Sequence, residues 1–159
     1  ATIQSCAQVA LLLKDSLKKK RLDTYVKTSG SKGLQVYVPL NTPATFDATK
    51  DFSLRVASAL ERAHPQLVTT KMRKDVRTGK VLIDWSQNHP TKTTVCVYSL
   101  RAKPRPTVST PLAWREVEAA AADYKAPLTF EAADVPGRVD AKGDLFEPVL
   151  TQKQRLPAA

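Results

Sequence analysis

The chain carries only two cysteines, Cys6 and Cys96, which lie far apart and form no CxxC pair. Their spacing excludes a disulfide framework and a cysteine-based zinc site, and it fits a reducing, intracellular setting. Histidine is equally scarce. His64 falls at the end of a helical run and His89 in a loop before Pro90, positions typical of surface histidines rather than ligands. No apolar run approaches the ~20 residues that a membrane span requires, and neither a signal peptide nor a lipid anchor is evident. Internal repeats and low-complexity segments are also missing. Among the acids, no D-x-D pair occurs anywhere in the 159 residues.

What remains is the composition of an ordinary globular domain, with 42% hydrophobic residues and enough length for one core. The charge is unevenly spread. Residues 1–105 hold 19 Lys/Arg against 7 Asp/Glu, whereas residues 106–159 hold 6 against 8. A basic body with a slightly acidic tail points to a polyanionic partner for the first part, although lysines that merely keep a small domain soluble fit the charge nearly as well.

Hydrophobic spacing organises the chain. Cys6, Val9, Leu13 and Leu17, widened by Leu12, predict an amphipathic helix over 4–20 that closes on the basic run 18–21. Residues 24–28 and 34–40 read as strands, the second turning Gln35 and Tyr37 away from its Leu/Val side. Phe52, Val56, Leu60 and Ala63 predict a helix over 47–63 that Pro65 cannot continue. Short strands follow at 68–70, 81–85 and 93–100, then a proline-rich extended crossing, a short helix with Trp114 and Val117 inward, and a weakly patterned tail. The order α-β-β-α-β-β-β defines an α+β, mixed-sheet layout in one domain, with 1–105 as basic core and 106–159 as crossing and tail.

Four features could carry chemistry. In Ser29-Gly30-Ser31-Lys32-Gly33, two glycines permit the positive φ at which successive N–H groups form an anion-binding nest, with hydroxyls and a lysine beside them. The loop leads into a strand and lacks Walker spacing, so a phosphotransferase P-loop is disfavoured, and on spacing alone a plain surface turn is the better reading. Asp84 stands among apolar neighbours, as a metal ligand or general base, or as a strand-end acid on a solvated face. Gln87 in the following polar loop, and Arg101 ending the next strand, could meet phosphate oxygens near Asp84; an edge arginine without duty is the alternative. Lys71, Arg73, Lys74, Arg77 and Lys80 crowd one turn tightened by Gly79, a pattern that suits nucleic acid or a solvated turn.

Three long segments occur in this order: "KTSGSKGLQVYVPL", "TTKMRKDVRTGKVLIDWSQN" and "KTTVCVYSLRAKPRPTVSTPLAW". Together they resemble the primase-polymerase domain of bacterial DNA ligase D, within the archaeo-eukaryotic primase superfamily, from about residue 4 to 118 with a weaker tail to about 150. The resemblance implies an RRM-like mixed or antiparallel sheet flanked by helices. It also implies nucleotidyl transfer of NTPs or dNTPs, with Mn2+ or Mg2+, to DNA ends with 3′ overhangs or gaps in non-homologous end joining. Carried residue by residue, it makes Ser29, Gly30, Lys32, Gln35, Gln87 and Arg101 nucleotide contacts and Asp84 the third metal-site carboxylate. Lys71, Arg73, Lys74 and Arg77 lie on the DNA side. A Ku-type end-binding protein and a ligase domain are the implied partners, in a bacterial cytoplasm near the nucleoid.

Two departures qualify that implication. The family's second motif places histidine where this chain has Gln35, which can donate a hydrogen bond but never carry charge. The family's D-x-D pair would precede the first helix. Since two-metal phosphoryl transfer needs converging carboxylates, Asp84 alone is an incomplete site, and the expectation is a later, partial piece of the domain with little activity of its own. The alternative is a non-catalytic module or subunit that binds nucleotides or DNA ends. Gln35→His should tighten nucleotide binding, measurable by isothermal titration with a nucleoside triphosphate; an unchanged affinity would remove Gln35 from the binding set.

Overall fold

In the computed structural model, which describes residues 1–157, the chain begins with α1 (Ile3–Lys18). Thr2 and Ser5 cap it reciprocally: the Ser5 N–H donates to Thr2 Oγ1 at 3.1 Å and the Thr2 N–H to Ser5 Oγ at 2.8 Å. At the other end Arg21 adopts φ 60°, and the Leu22 N–H reaches back to the Leu17 carbonyl at 3.1 Å, so buried Leu22 locks the exit of the helix. The helix is sequestered on two sides. Val9 and Leu17 pack with Phe52, Val56 and Leu60 of α2 (Phe46–Ala63), as the predicted stripe requires. Ala7 and Ala10 form a second, small-residue stripe against Val26, Leu112, Val117 and Ala120. That stripe is invisible to a search for large apolar residues. Ala63, expected inward, is exposed, because α2 runs past the edge of the core at its last turn.

Strands β1 (Tyr25–Thr28) and β2 (Leu34–Tyr37) pair antiparallel with Lys27 opposite Gln35. β3 (Val68–Thr69) and β4 (Val81–Leu82) form a parallel pair. β5 (Leu100–Arg101) and β6 (Thr107–Val108) form a small antiparallel hairpin. β7 (Pro111–Leu112) joins the far edge of β1, giving the sheet order β2-β1-β7. The α+β class thus holds, in three small sheets rather than one continuous RRM-like sheet among the described residues.

Three strand expectations are corrected. The strand over 81–85 stops at Leu82. Only one further bond, Ile83 N–H to the Thr69 carbonyl at 3.0 Å, extends it before a 3-10 turn at Trp85–Gln87. The strand over 93–100 is regular only at Leu100. Its alternation is real, since Val95 and Val97 are half-buried while Thr94 and Cys96 are exposed, but backbone pairing with another segment begins only at Tyr98, whose φ of 64° breaks the run: the Tyr98 N–H donates to the Ser109 carbonyl at 2.7 Å and the Ser99 carbonyl accepts from the Ser109 N–H at 3.0 Å. The proline-rich crossing, conversely, contains β6 and β7, and its residues Thr107 to Leu112 are all buried.

α3 (Trp114–Ala122) turns Val117 into the core and half-buries Trp114, whose indole N–H donates to the Thr24 carbonyl at 2.9 Å. The tail is no loose appendage. α4 (Asp134–Lys142) and α5 (Glu147–Thr151) return to the face of β1 and β2 that α1 leaves open. There the Tyr37 and Phe146 rings meet edge to face at 5.0 Å, and the Tyr25 hydroxyl donates to Gln152 at 2.5 Å. Arg138 pins α4 with two bonds to Glu116 and two to the Pro111 carbonyl, at 2.8 and 3.3 Å. Burial of Glu116 pushes its carboxyl up, but the Arg138 and Ala113 hydrogen bonds outweigh it and hold the carboxyl below its ordinary range. Its stabilising effect is therefore present above the ordinary glutamate pKa and fades as pH falls through the lowered one. Arg138→Ala should cost about 3 kcal/mol, the lower end for stranding a partner of a buried pair, read as a reduced urea midpoint at pH 7, with the gap to wild type narrowing as the pH is taken below 4.

Candidate functional site

An opening of about 580 Å³ lies between the free edge of β2 and β4, under one flank of α1. Its polar lining comes from three separate stretches: Ser29 and Gln35 from the first hairpin, Asp84 and Gln87 from the end of β4, and Thr94. Four of the sequence-predicted residues are thus brought to one cleft, across a chain separation that only folding closes.

The hairpin loop is seated by contacts beneath it. Gly30 is buried at φ 66°, its carbonyl accepts from the Thr107 hydroxyl at 2.5 Å, and a Cβ built on it would fall 2.6 Å from Arg101 Cγ. Arg101 therefore runs along the loop, and it is not among the residues that line the cleft with Asp84. Gly33 has neither a positive φ nor a close neighbour, so the two-glycine nest reduces to one required glycine. The loop is also closed on itself: Ser29 Oγ accepts from the N–H groups of Ser31 at 3.1 Å and Gly33 at 3.2 Å. Those two donors are engaged, and Lys32, exposed at the tip, supplies a mobile charge. Lys32 lines not the main cleft but a smaller cavity of about 140 Å³ behind the loop, together with Gly30, Thr107 and Lys103.

Asp84 lies on a solvated face at the end of β4. It is exposed at the N-terminus of the 3-10 turn, and one of its oxygens accepts from the Ser86 hydroxyl at 2.7 Å, which in turn accepts from Lys92. The turn is anchored by the Trp85 indole N–H on the Thr70 carbonyl at 3.1 Å and by the Asn88 amide on Ser53 at 2.9 Å. Gln87 spends both amide hydrogens within the fold, on the Thr93 carbonyl at 2.7 Å and the Thr94 hydroxyl at 2.9 Å, so it ties down the segment before β5. Among the described residues no group of three or more His, Cys, Asp or Glu could hold a metal ion, and Asp84 is the one carboxylate in the cleft. The residues present do not constitute a two-metal centre. His89 bonds locally to Thr91 at 2.9 Å.

The basic turn at 71–80 projects from β3 and β4, its cations exposed except for the half-buried Arg77 and Lys80. Arg73 is paired with Asp75 at 2.5 Å. Gly79 takes φ 75°, as expected of the residue that tightens the turn. Glu61 clamps its base by accepting from the Thr70 hydroxyl at 2.6 Å; that bond above all, with its companions from the Thr70 N–H and Thr69 and the charge of Lys71, holds the carboxyl below its usual range against the opposing effect of burial.

Sequence reasoning missed Lys27, which is wholly buried beside the cleft. A lysine inside a short strand reads as a surface residue, and only its position opposite Gln35 in the hairpin register could have signalled otherwise.

The fold is thus a single α+β domain with a cleft that holds one acid and with a cluster of cations on the turn that precedes β4. The chain belongs to the LigD primase-polymerase domain family, whose model matches residues 1–146. It is 41% identical over 148 residues to the multifunctional non-homologous end joining protein LigD of Mycolicibacterium smegmatis, covering 93% of this chain and 19% of that protein. Against the bifunctional LigD of Bacillus subtilis the identity is 34% over 140 residues, 87% of this chain and 22% of that protein. Among solved structures it resembles the polymerase domain from Mycobacterium tuberculosis Ligase D in complex with DNA, with a TM-score of 0.88, 38% identity, 97% of this chain covered and 52% of that one. The chain thus spans about a fifth of those relatives' length and about half of that solved chain. No helix among the described residues is long and apolar enough to cross a membrane.

Gly30→Ala should cost about 1–2 kcal/mol for its left-handed backbone and displace Arg101, whereas Gly33→Ala should stay within about 0.5 kcal/mol of wild type; thermal unfolding of the two variants side by side checks the contrast.

Proposed function

We propose that this chain forms the triphosphate-binding and DNA-facing part of a LigD-type repair polymerase domain, whose parent adds NTPs or dNTPs to DNA ends by divalent-metal-dependent nucleotidyl transfer in non-homologous end joining. The observation that carries this is the convergence of Ser29, Gln35, Asp84 and Gln87 on one cleft in a chain of that family. In this reading Ser29, the Gly30 backbone, Lys32 and Gln35 contact the incoming triphosphate. Arg101 reaches its oxygens from behind the loop, and Gln87 orders the cleft wall through Thr93 and Thr94. Lys71, Lys74 and Arg77 follow the DNA backbone, where each neutralised phosphate releases counterions; Arg73 contributes less while Asp75 holds it. DNA ends with overhangs or gaps, a Ku-type protein, a ligase domain and a nucleoid setting are the partners and place that fit this activity.

The lone carboxylate favours a second reading for the chain by itself. Asp84 supplies one metal ligand where the transfer needs several, so these residues bind rather than catalyse, and chemistry requires carboxylates from elsewhere. Primer extension with manganese and NTPs should show no robust incorporation by this chain alone. In fluorescence anisotropy with a 3′-overhang DNA, affinity should fall steeply with salt. Each of Lys71→Ala and Arg77→Ala should weaken binding several-fold, and Asp84→Ala should leave it intact. Robust extension would make the chain catalytic, and unchanged binding in both basic variants would move the DNA face elsewhere.

A further inference from the structure

Lys27 is the most completely enclosed charged group of the described structure: its relative exposure is 0%, and it forms no ion pair with any described carboxylate. Its ammonium donates to Gln35 Oε1 at 2.6 Å, to the Val95 carbonyl at 3.0 Å and to Ser109 Oγ at 2.5 Å. Ser109 accepts here because its own hydrogen goes to the Thr28 carbonyl at 2.7 Å. Three acceptors match the three hydrogens of an ammonium group, and the Tyr37 ring lies 5.7 Å from it.

Two consequences follow for the cleft. Lysine has no acceptor, so Gln35 must turn its oxygen to Lys27, which leaves the two Nε2 hydrogens as the atoms Gln35 can offer the opening it lines. The same ammonium holds Val95 next to Thr93 and Thr94, the residues that Gln87 grips. We propose that Lys27 is a positioning residue: from beneath the cleft it aims the Gln35 amide donors at an anionic ligand and ties down the 93–95 segment of the wall, without touching the ligand itself. This rests on the nucleotide reading above for the identity of the ligand, not for the arrangement.

The charge state of Lys27 is open to titration. Burial lowers its pKa to about 8, with Arg101 adding to the lowering and Cys96 opposing both. Tyr37 and Tyr98, on the neighbouring strand and segment, are both pushed above the usual phenol range, chiefly by burial, and keep their protons through this window. Above about pH 8 the ammonium loses one of three donors, and its hold on Gln35 relaxes. The unfolded chain still binds that proton up to the ordinary lysine value, so the burial cost to stability is full below the lowered pKa and eases as pH rises between the two.

The test uses the whole chain in a Cys96→Ser background, which removes the one thiol acting on Lys27. Nitrogen-15 NMR should show the Gln35 side-chain amide signals moving together with Lys27 Nζ at one shared midpoint, well below the ordinary lysine range and below that of the wild type because the upward pull of Cys96 is gone. Isothermal titration with ATP at pH 7 should show about ten-fold weaker binding for Lys27→Met and for Gln35→Ala, the order expected for losing one charge-assisted hydrogen bond. The double variant should be no weaker than either single one, because Lys27 acts through Gln35. A residue that only stabilises the fold would lower the melting temperature and give additive losses. Additive losses, or Gln35 signals that stay still while Lys27 titrates, overturn the proposal. If the Cys96→Ser parent binds no ATP, the nucleotide reading fails, and Lys27 is then judged on the amide signals, which need no change at Lys27 or Gln35.

Discussion

Strand β1 is bonded along both edges and buried on both faces, and that constraint shapes the rest of the molecule. Val26, Lys27 and Thr28 are all shielded from solvent, yet two of the three are polar, so every hydrogen-bonding group they carry needs a partner inside. Thr28 meets the requirement with the crossing: its N–H donates to the Thr110 carbonyl at 2.9 Å, its hydroxyl donates to the Val108 carbonyl at 3.2 Å, and its Oγ1 accepts from the Thr110 N–H at 2.9 Å. Lys27 meets it with Gln35, Val95 and Ser109. No buried side-chain polar atom in the described residues lacks a partner. The buried hydroxyls of residues 107–110 are thus the complement of β1.

The same constraint positions the cleft. Satisfying Thr28 brings β6 under the hairpin loop, and β6 brings its partner β5, which carries Arg101 to Gly30. Satisfying Lys27 sets Gln35 and the 93–95 segment, and through Gln87 that segment joins the Asp84 turn. Loop, arginine and acid are coupled through the interior rather than through one another. This is how residues spread over some seventy positions of chain are held in one place without a regular sheet beneath all of them.

Legibility in the sequence followed the strength of the periodic signal. The two long helices, the hairpin and the inward stripe of α2 up to Leu60 were readable because large apolar residues repeat at helical or strand spacing. The site loop, Asp84, Gln87 and Arg101 were readable as unusual residue types and as motifs of a family to which the chain proves to belong. Three things were not. Ala7 and Ala10 pack by being small, Lys27 is buried by its cross-strand partner, and Ser109 and Thr110 by their hydroxyl bonds to β1. None of these produces a hydrophobic period. The strand expected over 93–100 shows the converse: its alternation records half-burial, and half-burial alone does not supply a pairing strand for residues 93–97.

By itself, then, the order of residues determined which segments coil, which extend, where the positive charge collects and which motifs recur, because those are properties of local spacing and of residue type. Tertiary structure decided that Asp84 is solvated rather than desolvated, that only one loop glycine is needed for its backbone, that the tail covers the second face of the hairpin, and that a lysine lies at the centre. Each of those depends on which distant groups must share a water-free interior, and the cost of an unpaired donor there selects the partners.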